Sequence, residues 1–208
     1  VGYLALIRED GDEPPKSASF SQWYGYLPWE DWREGKPDIL TKEIEPRLKD
    51  WAQKPDTDET RTSALNRADR LRICFGIEGE GWDEEKVLER YELLYGAGLL
   101  AEAKRDGRDT ANQWDALPVI GRPMQFDHRR ILSTAMSRLR GKLKYRPVIF
   151  ELMPPTFTLF QLQRTVESIS GHHLHKQNFR RLVENSGLVE ATGEVSTETV
   201  GSPATRFR

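Results

Sequence analysis

The stretch from Phe157 to Arg208 constrains this chain most, because it sets two amphipathic segments and a β-prone hairpin in one fixed order. Across Thr158–Ser170 the apolar residues Leu159, Leu162, Val166 and Ile169 recur at steps of three and four, the spacing of a single helical face. Thr158 is placed to cap that helix. Gly171 stops it, because glycine accepts the left-handed backbone of a sharp helix end. A second helix is expected over His175–Asn185, with Phe179, Leu182 and Val183 inward, Lys176, Gln177, Arg180 and Arg181 outward, and Gly187 closing it. Two β-prone runs follow, Leu188–Ala191 and Ala204–Arg208, around a tip rich in Gly, Ser and Thr. Helix, turn, basic helix, hairpin is the order of a winged helix-turn-helix.

The side chains suit double-stranded DNA. A recognition helix keeps one apolar side for its own core and offers amides and guanidinium groups on the other. Asn and Gln pair bidentately with adenine, and Arg with guanine or phosphate. Lys176, Gln177, Asn178, Arg180 and Arg181 supply these groups within two turns. The same pattern also describes a small helical subdomain with a solvated basic face, or a winged helix that binds another protein.

The run LHKQNFRRLVENSGLVEATGE, followed by GSPATRFR, resembles the C-terminal domain of the Nudix-related transcriptional regulators of NAD metabolism. In that family a Leu-x-Lys-x-Asn-Phe-Arg-Arg run carries the recognition helix, and a Gly-x-Pro-Ala-x-x-Phe/Tyr run forms the last wing strand. This chain has Leu174, Lys176, Asn178, Phe179, Arg180 and Arg181, then Gly201, Pro203, Ala204 and Phe207. Upstream, FDHRRILSTAMSRLRGKLKYRPVIFELMPPTFTLFQLQ resembles the family's bridge between two domains. The resemblance implies operator binding, repression of NAD-metabolism genes and release by ADP-ribose or a related nucleotide. It also implies a homodimer with two recognition helices about one DNA turn apart. Thr158 and Gln161 are expected near phosphates at the start of the first helix, and Ser202 and Arg206 in the wing.

Charge is distributed accordingly. The whole chain carries 31 Lys and Arg against 33 Asp and Glu, yet residues 121–208 hold 14 against 7. An acidic body with a basic C-terminal third is expected where one end meets a polyanion. One cysteine, Cys74, excludes an internal disulfide framework. The sequence shows no signal-like or membrane-spanning apolar run, so a soluble, cytoplasmic protein is expected.

The remainder is expected to be an α+β body over residues 1–145, ahead of a winged helix over 146–208. Val1–Ile7 reads as a buried strand. By resemblance it belongs to the later half of a Nudix domain, which would make the chain a fragment without that domain's signature helix. An inserted helical section follows. SFSQWYGYLPWEDW brings together Phe20, Trp23, Tyr24, Tyr26, Trp29 and Trp32, material for a core or a subunit interface. Helices are expected over Asp38–Ala52 and Phe126–Lys144, the latter burying Ile131, Leu132, Ala135, Met136 and Leu139. Its basic residues are either a solvated face or phosphate contacts. Arg105–Ala116 reads as loop.

Trp82–Leu100 tests the enzymatic alternative, a Nudix-type hydrolase with an accessory winged helix. A Nudix box needs an arginine and paired glutamates that converge on magnesium, a cation that takes hard oxygen ligands. Anchoring its last glycine on Gly98 aligns Glu92, Leu93 and Leu99 but puts Tyr91 at the arginine and Tyr95 and Gly96 at the glutamates. The metal pair is absent, and the stretch reads as an amphipathic helix. His172, His173 and His175 lack a second cluster to complete a tetrahedral zinc site. No catalytic residue, metal or resident cofactor is therefore expected.

Overall fold

The computed structural model describes residues 19–54, 65–145, 148–196 and 203–208. The expected strand Val1–Ile7 and the expected wing residue Ser202 lie outside these. Two compact units are formed, Phe20–Arg138 and a second that includes Leu139–Arg208. Among the described residues, helices and one three-stranded sheet make the fold α+β. The described part of the first unit is helical, and the sheet belongs to the second.

In the first unit, residues 38–53 form the expected helical run, with a π-helical turn over Leu40–Ile44 that leads into α1, Glu45–Gln53. Its buried stripe is Leu40, Ile44, Leu48 and Trp51, the i, i+4 spacing that faces one neighbour. In α2, Arg67–Phe75, the Asn66 side chain accepts the Asp69 N–H at 2.8 Å, and Leu71 and Phe75 point inward. Helix α3, Val87–Gly96, adds Val87, Tyr91, Leu93 and Leu94, and the short α4, Ala101–Arg105, adds Ala103. Trp29 and Tyr24 from the aromatic run join this core, whereas Phe20 is 62% exposed.

The loop expected over Arg105–Ala116 is corrected in part. Asp109–Gln113 is a 3-10 turn, and Gln113 Nε2 and Trp114 Nε1 both donate to the Ala97 carbonyl, at 3.0 and 2.9 Å. Gly98 has φ +73°, and a Cβ there would strike the Thr110 backbone. The turn thus seals the end of α3, which only glycine permits at this approach.

Two arginines hold the first unit from inside. Arg90 and Glu30 are both fully buried and form a bidentate pair, Nε–Oε1 at 2.7 Å and Nη2–Oε2 at 2.8 Å. Arg90 Nη1 donates to the Cys74 and Asp83 carbonyls at 3.0 and 2.8 Å, and the guanidinium stacks on Trp82 at 3.8 Å. The second, Arg129, lies on α5, His128–Tyr145. It donates to the Tyr26 carbonyl (2.8 Å), the Ile120 carbonyl and Glu102 (3.2 Å). Burial pushes its guanidinium below the ordinary arginine value, and Glu102 opposes that shift.

Helix α5 corrects the expected inward set. Met136 and Leu139 are buried, but so are Arg129, Ser133 and Arg140, and Ile131 is 51% exposed. The inward stripe is rotated because Arg129 occupies a core position that periodicity alone assigns to an aliphatic side chain. Arg129 and Arg140 are therefore removed from any basic surface, while His128, Arg138 and Lys142 remain exposed.

The second unit continues through a 3-10 turn, Val148–Leu152, into β1, Phe157–Thr158, then α6, Leu159–Ser170, and α7, Lys176–Asn185. The wing strands are β2, Ala191–Ser196, and β3, Ala204–Phe207. The sheet order is β1-β3-β2, antiparallel throughout, with Phe157 opposite Phe207. The first wing strand thus starts at Ala191 rather than Leu188. Glu190 and Arg208 nevertheless exchange backbone bonds of 3.0 and 2.9 Å. Between Ala191 and Val195 the register shifts in a bulge that contains Gly193 at φ +80°. Buried Arg140 donates to the Ile169 carbonyl at 3.0 Å, at the negative end of α6. Among the described residues, no helix is long and apolar enough to cross a membrane.

Candidate nucleic-acid interface

Helix α6 starts as its sequence predicts. The Gln161 N–H donates to the Thr158 hydroxyl at 3.2 Å, and Gln161 Oε1 accepts the Thr158 N–H at 2.8 Å, a reciprocal capping box. Thr158 is buried and its hydroxyl closes this box. The side chain expected near a phosphate thus sits at the strand-to-helix corner, where it holds the start of α6. Gln161 is exposed, with its carbonyl oxygen committed to the cap.

Gly171 ends α6 at φ +78°. The turn behind it is fastened by polar groups that the apolar-face reading passed over. Glu167 has a side chain only 5% exposed. Its Oε1 accepts from Gln163 Nε2 at 2.8 Å and from the Leu174 N–H at 2.9 Å. Gln163 Nε2 also donates to the Leu174 carbonyl at 2.9 Å, and His173 Nδ1 lies 3.3 Å from Glu167 Oε2. One signal was available in the sequence. Gln163, Glu167 and Ser170 share helical spacing, and all three are buried.

Burial tends to raise the Glu167 carboxyl, but hydrogen bonds from Leu174, Gln163 and His173 outweigh it and hold the group below its ordinary value. A carboxyl depressed on folding contributes stability that is present above its unfolded pKa and lost as pH falls through the folded one. Wild-type protein is therefore expected to lose more stability than Glu167→Gln as pH drops below the ordinary carboxylate range. Thermal unfolding of the two proteins across an acid series measures this, and parallel curves would contradict it.

Helix α7 is held by Val183, with Phe179 half-buried beside it. Leu182, expected inward, is 70% exposed. At about 3.6 residues per turn, Phe179 and Val183 define a narrow inward edge and Leu182 falls on its shoulder with Asn178. Gln177, Arg181 and Asn185 lie opposite the core. Lys176, Arg180 and Glu184 form the other shoulder, where Arg180 Nη2 stands 4.0 Å from Glu184 Oε1. Lys176, Gln177, Asn178, Arg180 and Arg181 are all exposed. Asn185, not singled out from sequence, sits on the same outward face. In the wing, Arg206 is half-buried on β3 and donates through Nη1 to the Thr156 hydroxyl at 3.0 Å.

A capped helix, a glycine turn, a second helix with an exposed amide and guanidinium face, and a β-hairpin closed by a third strand define a winged helix-turn-helix. Residues 149–208 match the family described as the NrtR DNA-binding winged helix domain. The C-terminal part of this chain is accordingly a winged helix similar to that of the NrtR family. The chain is 45% identical over 71 residues to the ADPR responsive transcriptional repressor NtrR of Acinetobacter baylyi (strain ATCC 33305 / BD413 / ADP1), a match that covers 34% of this chain and 28% of that protein. A crystal structure of Shewanella oneidensis NrtR complexed with a 27mer DNA is 36% identical, covers 41% of this chain and 38% of that one, and has a TM-score of 0.34. The matched stretch thus spans less than two fifths of either relative.

Proposed function

We infer that the protein is a sequence-specific transcriptional repressor of NAD-metabolism genes. Residues 146–208 bind the operator, and residues 1–145 form the effector and dimerisation region. ADP-ribose or a related nucleotide releases the DNA. The observation that carries this reading is the exposed polar surface of α7, where Gln177 and Arg181 on the outward face and Asn178 on the shoulder beside it are exposed together on a helix whose family is a DNA-binding one. The Acinetobacter relative, a repressor named for its response to ADPR, supports the choice of effector. Gln177, Asn178 and Arg181 read base edges. Lys176 and Arg180 on the shoulder, Gln161 at the start of α6, and Ser202 and Arg206 in the wing serve the backbone. Phosphate contacts supply affinity and register, and base contacts supply sequence preference.

The test is selection of bound duplexes from a random pool, followed by anisotropy titration of the recovered site at two salt concentrations. Recovery of a palindrome, with affinity that falls steeply in salt and is lost on addition of ADP-ribose, is the expected result. Absence of any binding at low salt would overturn the reading. Hydrolysis of the added nucleotide would instead favour the enzymatic alternative. Lys176→Ala is expected to weaken all duplexes alike and to flatten the salt dependence by about one unit of slope. A loss confined to one base position would reassign Lys176 to base readout.

A further inference from the structure

We propose that Glu167, together with Gln163, is a positioning residue for sequence readout, holding the turn that aims the recognition helix. The proposal rests on the DNA-binding reading above and adds the device that makes that reading specific.

Leu174 stands two residues before the first residue of α7. Both of its backbone polar groups are gripped from α6, the N–H by Glu167 Oε1 at 2.9 Å and the C=O by Gln163 Nε2 at 2.9 Å. The two grips are joined, since Gln163 Nε2 also donates to Glu167 Oε1 at 2.8 Å. A carboxylate and an amide, both buried, thus hold one residue at two points, its N–H and its C=O, and that residue begins the approach to α7. Apolar contacts between α6 and α7 are few, because α7 buries only Val183 fully. An apolar contact tolerates sliding, whereas a two-point hydrogen-bonded grip fixes direction as well as distance.

The functional consequence follows from the difference between phosphate and base contacts. Cations at the surface tolerate small reorientations of α7, since their attraction is long-ranged and sequence-blind. Bidentate contacts from Asn178 or Arg181 do not, because both hydrogen bonds must align at once. Loosening the grip is therefore read as lost discrimination between sequences rather than lost attraction to DNA.

The test uses the full chain as wild type, Glu167→Ala, Glu167→Gln and Gln163→Met. Anisotropy titrations are run against the selected site and a scrambled duplex, with amide hydrogen exchange at Leu174 measured in the free protein. Glu167→Ala is expected to lower affinity for the selected site about tenfold while that for the scrambled duplex stays within about twofold. Glu167→Gln retains an acceptor oxygen for Gln163 and Leu174, and is expected to restore most of the preference. Gln163→Met, which leaves the Glu167 bond to Leu174 in place, is expected to give a smaller loss of the same kind. The Leu174 amide is expected to be protected in wild type and in Glu167→Gln and to exchange rapidly in Glu167→Ala. Rapid exchange at Leu174 in wild type would overturn the grip itself, whatever the DNA result. Equal losses on both duplexes, or no recovery in Glu167→Gln, would overturn the positioning role. If wild type itself does not discriminate between duplexes while Leu174 is protected, the failure lies in the DNA-binding reading, and the proposal falls with it.

Discussion

Replacing Arg90 with methionine is expected to destabilise the first unit by about 3–5 kcal/mol, the range for breaking a buried ion pair from one side. The cost comes mainly from what is left behind. Glu30 is fully buried and both of its carboxylate oxygens are matched by Arg90. Without the guanidinium it must remain as an uncompensated charge, take up a proton or draw in water. The Cys74 and Asp83 carbonyls lose a donor as well, and Trp82 loses its stacked cation. All six tryptophans, at 23, 29, 32, 51, 82 and 114, lie in this unit, so urea unfolding followed by tryptophan fluorescence reports on it selectively. The paired control is Glu30→Leu with Arg90→Met, which removes both charges. It is expected to recover a large part of the loss, since apolar replacement of a whole buried pair is often close to neutral. A single-variant cost below about 1 kcal/mol, typical of solvent-exposed pairs, would show that the pair is open to water.

Arg181→Ala carries the largest expected functional effect. Arg181 projects opposite the apolar edge of α7 and is exposed, so its removal should leave the melting temperature unchanged. A bidentate contact between arginine and guanine is worth about 1–3 kcal/mol of discrimination, or roughly five- to 150-fold in affinity. Titration against the selected site and its single-base variants should show that loss, with preference relaxed at one position of each half-site. Arg180→Ala is expected to weaken operator binding less, because Glu184 stands beside Arg180 and offsets part of its charge. An equal loss on scrambled duplexes would assign Arg181 to the phosphates instead.

The C-terminal domain was legible because its signals are local. Thr158 and Gln161 lie three residues apart and cap α6, Gly171 supplies the left-handed stop, and Lys176, Gln177, Asn178, Arg180 and Arg181 are left exposed once Phe179 and Val183 turn in. The two-residue strand β1 was not legible, since it has no periodicity of its own and exists only by pairing with residues 206 and 207. The bulge between Ala191 and Val195 is likewise a property of the pair and not of either run.

The sequence alone therefore determined the helix-turn-helix order, the basic C-terminal third and the polar side chains exposed on α7. Only the tertiary structure decided where the buried charges go. Arg90, Arg129, Arg140 and Glu167 read as solvent-facing in any pattern of apolar residues, yet each is buried. Arg90 is separated from Glu30 by 60 positions and Arg129 from Tyr26 by 103. Helical periodicity records which face is apolar over a few turns. It carries no information about a distant carboxylate or carbonyl that makes the interior acceptable to a guanidinium, and that compensation exists only once the chain has folded.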